Sequence, residues 1–143
     1  MKSLLCASLV LTASLLAASV EADDAALVQG LWKPVKAELG GQPLGEGFLK
    51  ITSLRLDNGK YEVFVGNEPD RGTYTLDSAA RPRGMTVVGT DGPNKGRTFP
   101  AIYELTEDTL RICYDLSGAK RPTEYKTTAG TKLYLVTYVR KKE

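Results

Sequence analysis

The sequence contains no histidine, which excludes several kinds of active site at once. Serine and cysteine nucleophiles usually need an imidazole as general base, and many catalytic metal sites need it as a ligand. A net charge of +2 also leaves little excess positive charge to neutralise nucleic-acid phosphates. We therefore expect a protein that is not an enzyme, that holds no metal or cofactor and that binds no nucleic acid.

Long hydrophobic runs are limited to the start of the chain, from Leu4 to Ala18. A lysine precedes this run, and Val20-Glu21-Ala22 after it has the small-residue spacing that signal peptidase accepts. The run is interrupted by serine and threonine and is shorter than the ~20 residues that a membrane span needs. We predict that residues 1–22 are a cleaved signal peptide rather than a membrane anchor. Residues 23–143 would then form a single secreted or periplasmic domain.

Cysteine is almost absent from that domain, since Cys113 is its only one. An intrachain disulfide is therefore impossible, although an oxidising compartment would permit one. A lone cysteine between Ile112 and Tyr114 on a strand is typical of a small buried hydrophobe, and a redox or intermolecular role is the alternative. The apolar core must hold the fold together without covalent cross-links.

Glycine and proline turns divide the domain into short segments, for the chain has 14 glycines and 7 prolines. The breaks recur about every 8 to 18 residues, a spacing typical of an all-β sandwich or barrel. We also predict a short helix at residues 23–29 and an irregular piece at residues 45–49. The eight candidate strands cover residues 31–39, 49–56, 61–65, 73–76, 85–89, 98–105, 109–115 and 133–140.

Short connections predict hairpins between neighbouring strands. Asn58-Gly59 suits a type I′ turn, because both residues adopt positive φ angles readily. Residues 106–109 form another short connection, so residues 102–105 should pair antiparallel with residues 110–114. Consecutive hairpins of this kind produce an up-and-down meander.

Alternation of side chains indicates which strand faces are buried. Phe99, Ala101, Tyr103 and Leu105 share one face, as do Leu110, Ile112 and Tyr114. The last strand is apolar on both sides, which predicts that both its faces are covered. The cover would be either the N-terminal helix packed on the outer wall of a barrel or a dimer contact.

Gly30-Leu31-Trp32 lies at the start of the first strand, just after the predicted helix. This motif resembles the G-x-W signature of the lipocalins and related calycin barrels. In that family the glycine permits a tight approach to the first strand, and the indole closes the barrel floor against an arginine near the last strand. The resemblance implies that Arg140 stacks on Trp32, a cation-π contact of ~1 kcal/mol.

A second resemblance covers nearly the whole domain, and it is to the family known as the Planctomycetes uncharacterised domain. Its members are similar to small exported lipocalin-like domains without an established activity, so the resemblance implies a fold and export but no reaction. The residues that carry it are Leu27-Val28-Gln29-Gly30-Leu31-Trp32, Gly59-Lys60-Tyr61, Gly72-Thr73-Tyr74, Asp91-Gly92-Pro93-Asn94-Lys95-Gly96, Ile102-Tyr103-Glu104-Leu105, Asp108-Thr109-Leu110-Arg111-Ile112-Cys113-Tyr114 and Arg121-Pro122-Thr123-Glu124-Tyr125.

The first strand departs from a regular inward face. Trp32, Pro34, Lys36 and Glu38 would share one side of a regular strand, and this set is too polar to face a core. A β-bulge near Pro34 would restore the pattern, because proline cannot donate a hydrogen bond to a neighbouring strand. The predicted fold is thus an all-β, eight-stranded antiparallel up-and-down lipocalin-like barrel with a short N-terminal helix.

Two functions suit such a barrel. The first is a binding module for a small hydrophobic ligand, since eight strands enclose just enough space for side chains or one small molecule. The second is a packed structural or protein-interaction domain, acting as a homodimer through Tyr134 and Tyr138 or with an extracellular protein partner. We interpret Arg121 either as an anchor of its loop through Glu124 or as a rim contact for an anionic ligand. The candidate ligand-binding residues are Trp32, Tyr61, Tyr74, Tyr103, Tyr114, Arg121 and Arg140.

Overall fold

The computed structural model describes residues 24–143, so the predicted signal peptide lies outside the described residues. Residues 24–27 form a helical turn, which agrees with the helix predicted near this end. One further helix, α1, spans Glu46–Ile51. The strands are β1 (Gly30–Leu39), β2 (Gln42–Pro43), β3 (Thr52–Asp57), β4 (Lys60–Val65), β5 (Glu68–Asp77), β6 (Gly84–Asp91), β7 (Thr98–Leu105), β8 (Thr109–Asp115) and β9 (Leu133–Lys141).

The strands form one antiparallel sheet that closes on itself. β3 pairs with β1, each of β4 to β9 pairs with the strand before it, and β9 also pairs with β1 from Leu31↔Lys141 to Leu39↔Tyr134. The short strand β2 pairs only with the end of β1 and does not belong to the barrel wall. The predicted eight-stranded up-and-down barrel is therefore confirmed.

The predicted hairpin turns are also confirmed. Asn58 and Gly59 have φ angles of 47° and 83°, as a type I′ turn between β3 and β4 requires. Leu105 pairs with Leu110 across the turn between β7 and β8. The amide of Thr106 donates to the carbonyl of Thr109 at 2.9 Å and closes that turn.

Two predicted strands begin at the wrong residue, and one of them is β5, which was expected at residues 73–76 and begins at Glu68. The strand expected at residues 49–56 begins only at Thr52, because Leu49 to Ile51 complete helix α1. Phe48, Leu49 and Ile51 fit a short strand or a helix equally well, so their pattern could not decide between them. The Thr52 hydroxyl donates to the Phe48 carbonyl at 2.6 Å and marks the change from helix to strand.

The bulge expected near Pro34 is present in β1. Pro34 pairs with Tyr138 and Lys36 pairs with Thr137, so Val35 has no partner on β9 and is 51% exposed. The extra residue reverses the inward and outward alternation of side chains along β1. Ala37 therefore packs in the core, and Lys36 faces outward.

Trp32 closes one end of the barrel, as the G-x-W resemblance implies. Its side chain is fully buried, and its indole N–H donates to the Val28 carbonyl at 2.8 Å. The Arg140 guanidinium lies 4.2 Å from the centre of the indole ring. It also donates to the carbonyls of Leu27, Gln29 and Glu107, the last two at 2.6 and 2.9 Å. Arg140 therefore joins the N-terminal turn, β9 and the loop between β7 and β8.

Gly30 leaves the space that this arginine occupies. Its φ angle of 129° is one that other residues rarely adopt, and a Cβ atom there would lie 2.9 Å from Nη1 of Arg140. Glycine at this position thus permits the positive φ angle and leaves room for the Arg140 guanidinium.

The N-terminal helix does not cover the outer face of β9, which was one of the two alternatives predicted. The helical turn lies at the Trp32 end instead, where Asp24 accepts a hydrogen bond of 2.6 Å from the Tyr103 hydroxyl. The connection between β8 and β9, residues 116–132, crosses the outside of the barrel. The Lys126 carbonyl lies 3.9 Å from Sγ of Cys113, and Thr127 contacts Glu38 on β1 at 2.8 Å. This loop, rather than the helix, covers the seam where β8, β9 and β1 meet.

Cys113 and Ile102 pair with each other on the outside of the barrel, and both are fully buried. Burial raises the pKa of the Cys113 thiol. The prediction of a small buried hydrophobe at this position is confirmed. Within residues 24–143, no helix is both long and apolar enough to cross a membrane.

We predict that Arg140→Ala destabilises the protein by about 2–4 kcal/mol, because three backbone carbonyls lose a charged donor and the indole loses its cation. The free energy of unfolding, measured with urea, checks this value. Arg55→Ala is the matched control, since Arg55 is an exposed arginine whose guanidinium pairs with the side chain of Glu143 on the surface. Equal stability of the two variants would contradict the role given to Arg140.

Candidate ligand cavity

The barrel contains a cavity of about 430 Å³ that extends to the end opposite Trp32. Leu39 at the end of β1, Val65 at the end of β4 and Leu116 after β8 all line it, and these positions share that end. The aliphatic part of its wall includes Leu54, Leu56, Val63, Met85, Val87 and Ile112. The aromatic part consists of Phe48, Tyr61, Tyr74, Phe99, Tyr114, Tyr134 and Tyr138.

Strand alternation places these side chains inside. On β4 and β5, Tyr61, Val63 and Tyr74 belong to the inward parity, as does Gly72 between them. Gly72 is needed because a Cβ atom at this position would lie 1.9 Å from the Val88 carbonyl oxygen and 2.5 Å from Cε1 of Tyr61. The missing side chain lets the Tyr61 ring lie across β5.

Three of the predicted ligand-binding residues, Tyr61, Tyr74 and Tyr114, line the cavity. Trp32 and Tyr103 are buried at the closed end and are not part of its lining. The structure therefore brings the three tyrosines together in the cavity, whereas Trp32 and Tyr103 belong to the barrel floor.

The two predicted arginines lie outside the cavity. Arg140 covers the closed end, as described above. Arg121 donates to the carbonyls of Met85 and Ala101, both at 2.7 Å, and to the Thr86 hydroxyl at 2.9 Å. The expected contact with Glu124 is therefore replaced by contacts with β6 and β7, because the loop lies flat against these strands. Arg121 is an anchor of the loop between β8 and β9 and not a rim contact.

Sequence reasoning placed Tyr134 and Tyr138 on an outer dimer face, and this placement is wrong. Tyr134 pairs with Tyr114 and Tyr138 pairs with Leu110, so both share the inward face of their partners. The inward side chains of β8 could be predicted from alternation, and the register between β8 and β9 would then have shown that Tyr134 and Tyr138 also face inward. The rings of Tyr114 and Tyr134 stack with their centres 5.7 Å apart. Burial raises the pKa of the phenols of Tyr114, Tyr134 and Tyr138, so these three groups stay protonated to a higher pH than exposed tyrosines do.

Polar groups gather on one side of the cavity, where Glu68, Asp70 and Asn94 join Tyr61. Asn94 donates to Oδ2 of Asp70 at 2.8 Å. Burial, followed by the charge of Asp70, raises the pKa of Tyr61 to about 12. Asp70 was not predicted as a wall residue, because the strand expected at residues 73–76 begins at Glu68. Alternate residues of a strand share a face, so the inward positions of Tyr74 and Gly72 would have placed Asp70 on the same face.

The connection between β6 and β7 positions Asn94. It folds back on β6, with the Gly96 amide donating to the Gly89 carbonyl at 2.9 Å. A Cβ atom on Gly89 would lie 1.9 Å from the Asn94 carbonyl oxygen, so only glycine allows this approach. The connection between β6 and β7 therefore contributes Pro93 and Asn94 to the cavity wall.

Residues 24–143 contain no group of three or more cysteine, aspartate or glutamate side chains placed to hold a metal ion. In comparisons with known proteins, no family model, curated protein or solved structure matches this chain. The resemblance to the Planctomycetes uncharacterised domain therefore stays a prediction.

We predict that the tyrosines of the folded protein ionise well above pH 10, the ordinary pKa of the phenol, because all seven are held in surroundings that raise it. Because the unfolded phenol ionises first, the free energy of unfolding is undiminished below pH 10 and falls as the pH rises from 10 through about 12. Tyrosinate absorbance, titrated in the folded and in the urea-unfolded protein, measures both midpoints. Tyr134→Phe should remove one late-ionising group, and coincident midpoints would contradict the prediction.

Proposed function

We propose that the protein is an exported binding module that takes a small apolar molecule into the barrel cavity. The observation that carries the proposal is the cavity itself, with its volume of about 430 Å³ and its apolar and aromatic wall. Pockets that hold small molecules in proteins commonly measure about 300–1,000 Å³ and have walls of this composition. Export is part of the proposal on the strength of the signal-peptide pattern in residues 1–22.

Apolar contact supplies the affinity in this proposal. Removal of apolar surface from water is worth about 25 cal/mol per Å². The strands hold the wall in place before any ligand arrives, which limits the ordering needed on binding. A rigid apolar wall therefore favours the binding module over a domain with a fully packed interior.

Helix α1 supports a route into the cavity. It lies at the open end, where Leu44 and Phe48 line the cavity, yet none of its residues is buried. Exposed apolar side chains surround this end, with Ile51 52% and Leu39 40% exposed. An apolar molecule would meet these side chains before it reached the interior.

The proposal predicts saturable binding of N-phenyl-naphthylamine, an uncharged probe whose fluorescence increases in apolar surroundings. Val63→Trp should weaken binding at least about tenfold, equal to 1.4 kcal/mol, because the larger side chain enters the cavity from a partly exposed wall position. Fluorescence titration gives both dissociation constants.

Thr75→Trp is the matched control. Thr75 is exposed on the outward face of β5, so this substitution adds the same indole outside the cavity. Its affinity for the probe should equal that of the unmodified protein. Binding that does not saturate, or that both variants weaken equally, would place the probe on the outer surface and contradict the proposal.

A further inference from the structure

Two buried polar atoms in the cavity wall have no hydrogen-bond partner among the described residues. They are the hydroxyl oxygen of Tyr61 and Oδ1 of Asp70. Tyr61 is 6% exposed, so more than nine-tenths of this side chain is buried. Buried polar groups in folded proteins nearly always have partners, and an exception calls for an explanation. A ligand that completes both bonds would provide one.

The neighbouring residues hold both atoms in place. Asn94 donates to Oδ2 of Asp70, which orients the carboxylate and leaves the buried Oδ1 without a partner of normal geometry. A Cβ atom on Gly92 would lie 3.4 Å from Oδ1, so the turn between β6 and β7 packs closely behind this oxygen. Tyr61 reaches the same region across Gly72, and, beyond the effect of burial, Asp70 lies close enough to raise the pKa of the Tyr61 phenol by its charge and by hydrogen bonding, although the two side chains do not meet normal hydrogen-bond geometry. The two oxygens thus form a preorganised polar point on an otherwise apolar wall.

The charges of the wall decide which head group suits this point. Glu68 and Asp70 both line the cavity, and none of the described residues that line it is a lysine or an arginine. An anionic head group would face two carboxylates without a counter-charge. A protonated amine instead gains charge-assisted hydrogen bonds, which are roughly twice as strong as neutral ones.

We propose that the cavity selects an apolar molecule that ends in a protonated amine, whose N–H groups donate to Oδ1 of Asp70 and to the hydroxyl oxygen of Tyr61. This inference rests on the proposed function, since it names the class of ligand for the same cavity. Asp70 is near the start of β5 and therefore near the open end. The amine lies at that end, and the apolar body extends along Leu54 and Met85 towards the floor.

Calorimetric titration with three ligands of equal chain length tests the proposal. The ligands are decylamine, decanol and decanoate, used at neutral pH, where the amine is protonated and the acid is ionised. We expect decylamine to bind about tenfold more tightly than decanol, because a hydrogen bond to a charged group adds at least that factor. Decanoate should bind more weakly than either.

Asp70→Asn keeps the shape of the side chain and removes its charge. This variant should lose about tenfold in affinity for decylamine and retain its affinity for decanol within about threefold. Tyr61→Phe provides a second variant in case the first one folds poorly, and it should lower decylamine affinity by a smaller factor. Glu104→Gln is the matched control, because it removes the same charge from an exposed residue that contacts Arg111 outside the cavity.

The outcomes separate the two proposals. If decanol binds but decylamine binds no better, or if Asp70→Asn and Glu104→Gln affect decylamine equally, the amine selectivity is overturned and the binding module survives. If none of the three ligands binds, both proposals fail. Tighter binding of decanoate than of decylamine would also overturn the selectivity.

Discussion

The contact between Arg140 and Trp32 is the constraint on which the rest of the barrel depends. A single guanidinium covers the buried indole and bonds three carbonyls, one of them after β7 and two before β1. These bonds fix the N-terminal turn across the closed end, so the core is sealed there. Because the floor is sealed by this cluster, the opposite end can remain open without exposing the whole core to water.

The sequence predicted the barrel well because its strongest signals are local. Asn58-Gly59 defines its turn through backbone preference alone, and the paired alternation of β7 and β8 defines the faces of those strands. The bulge at Val35 could also be inferred, because a proline and a polar parity conflicted with a regular strand. Each of these features is decided by residues within a few positions of one another.

The cavity was less predictable, because its wall depends on pairings between distant residues. Tyr134 and Tyr138 belong to a strand that is apolar on both sides, and only their register with β8 shows which side is internal. Asp70 points inward although it is acidic, which a hydrophobic pattern cannot anticipate. The cover over Cys113 comes from a loop without regular structure, whose path no periodicity reveals. The sequence therefore predicted the strands that form the cavity wall, but not which polar and aromatic side chains line it.

The pairing of β1 with β9 has a consequence for how the chain folds. The first and last strands of the barrel are neighbours, so the final contacts join the two most distant parts of the domain. Contacts of such high sequence separation form slowly, because a long segment must be ordered before its ends can meet. During synthesis the cylinder cannot close until the ribosome has released β9. The nascent polypeptide accordingly keeps one edge of β1 and one edge of β8 unpaired until β9 has emerged.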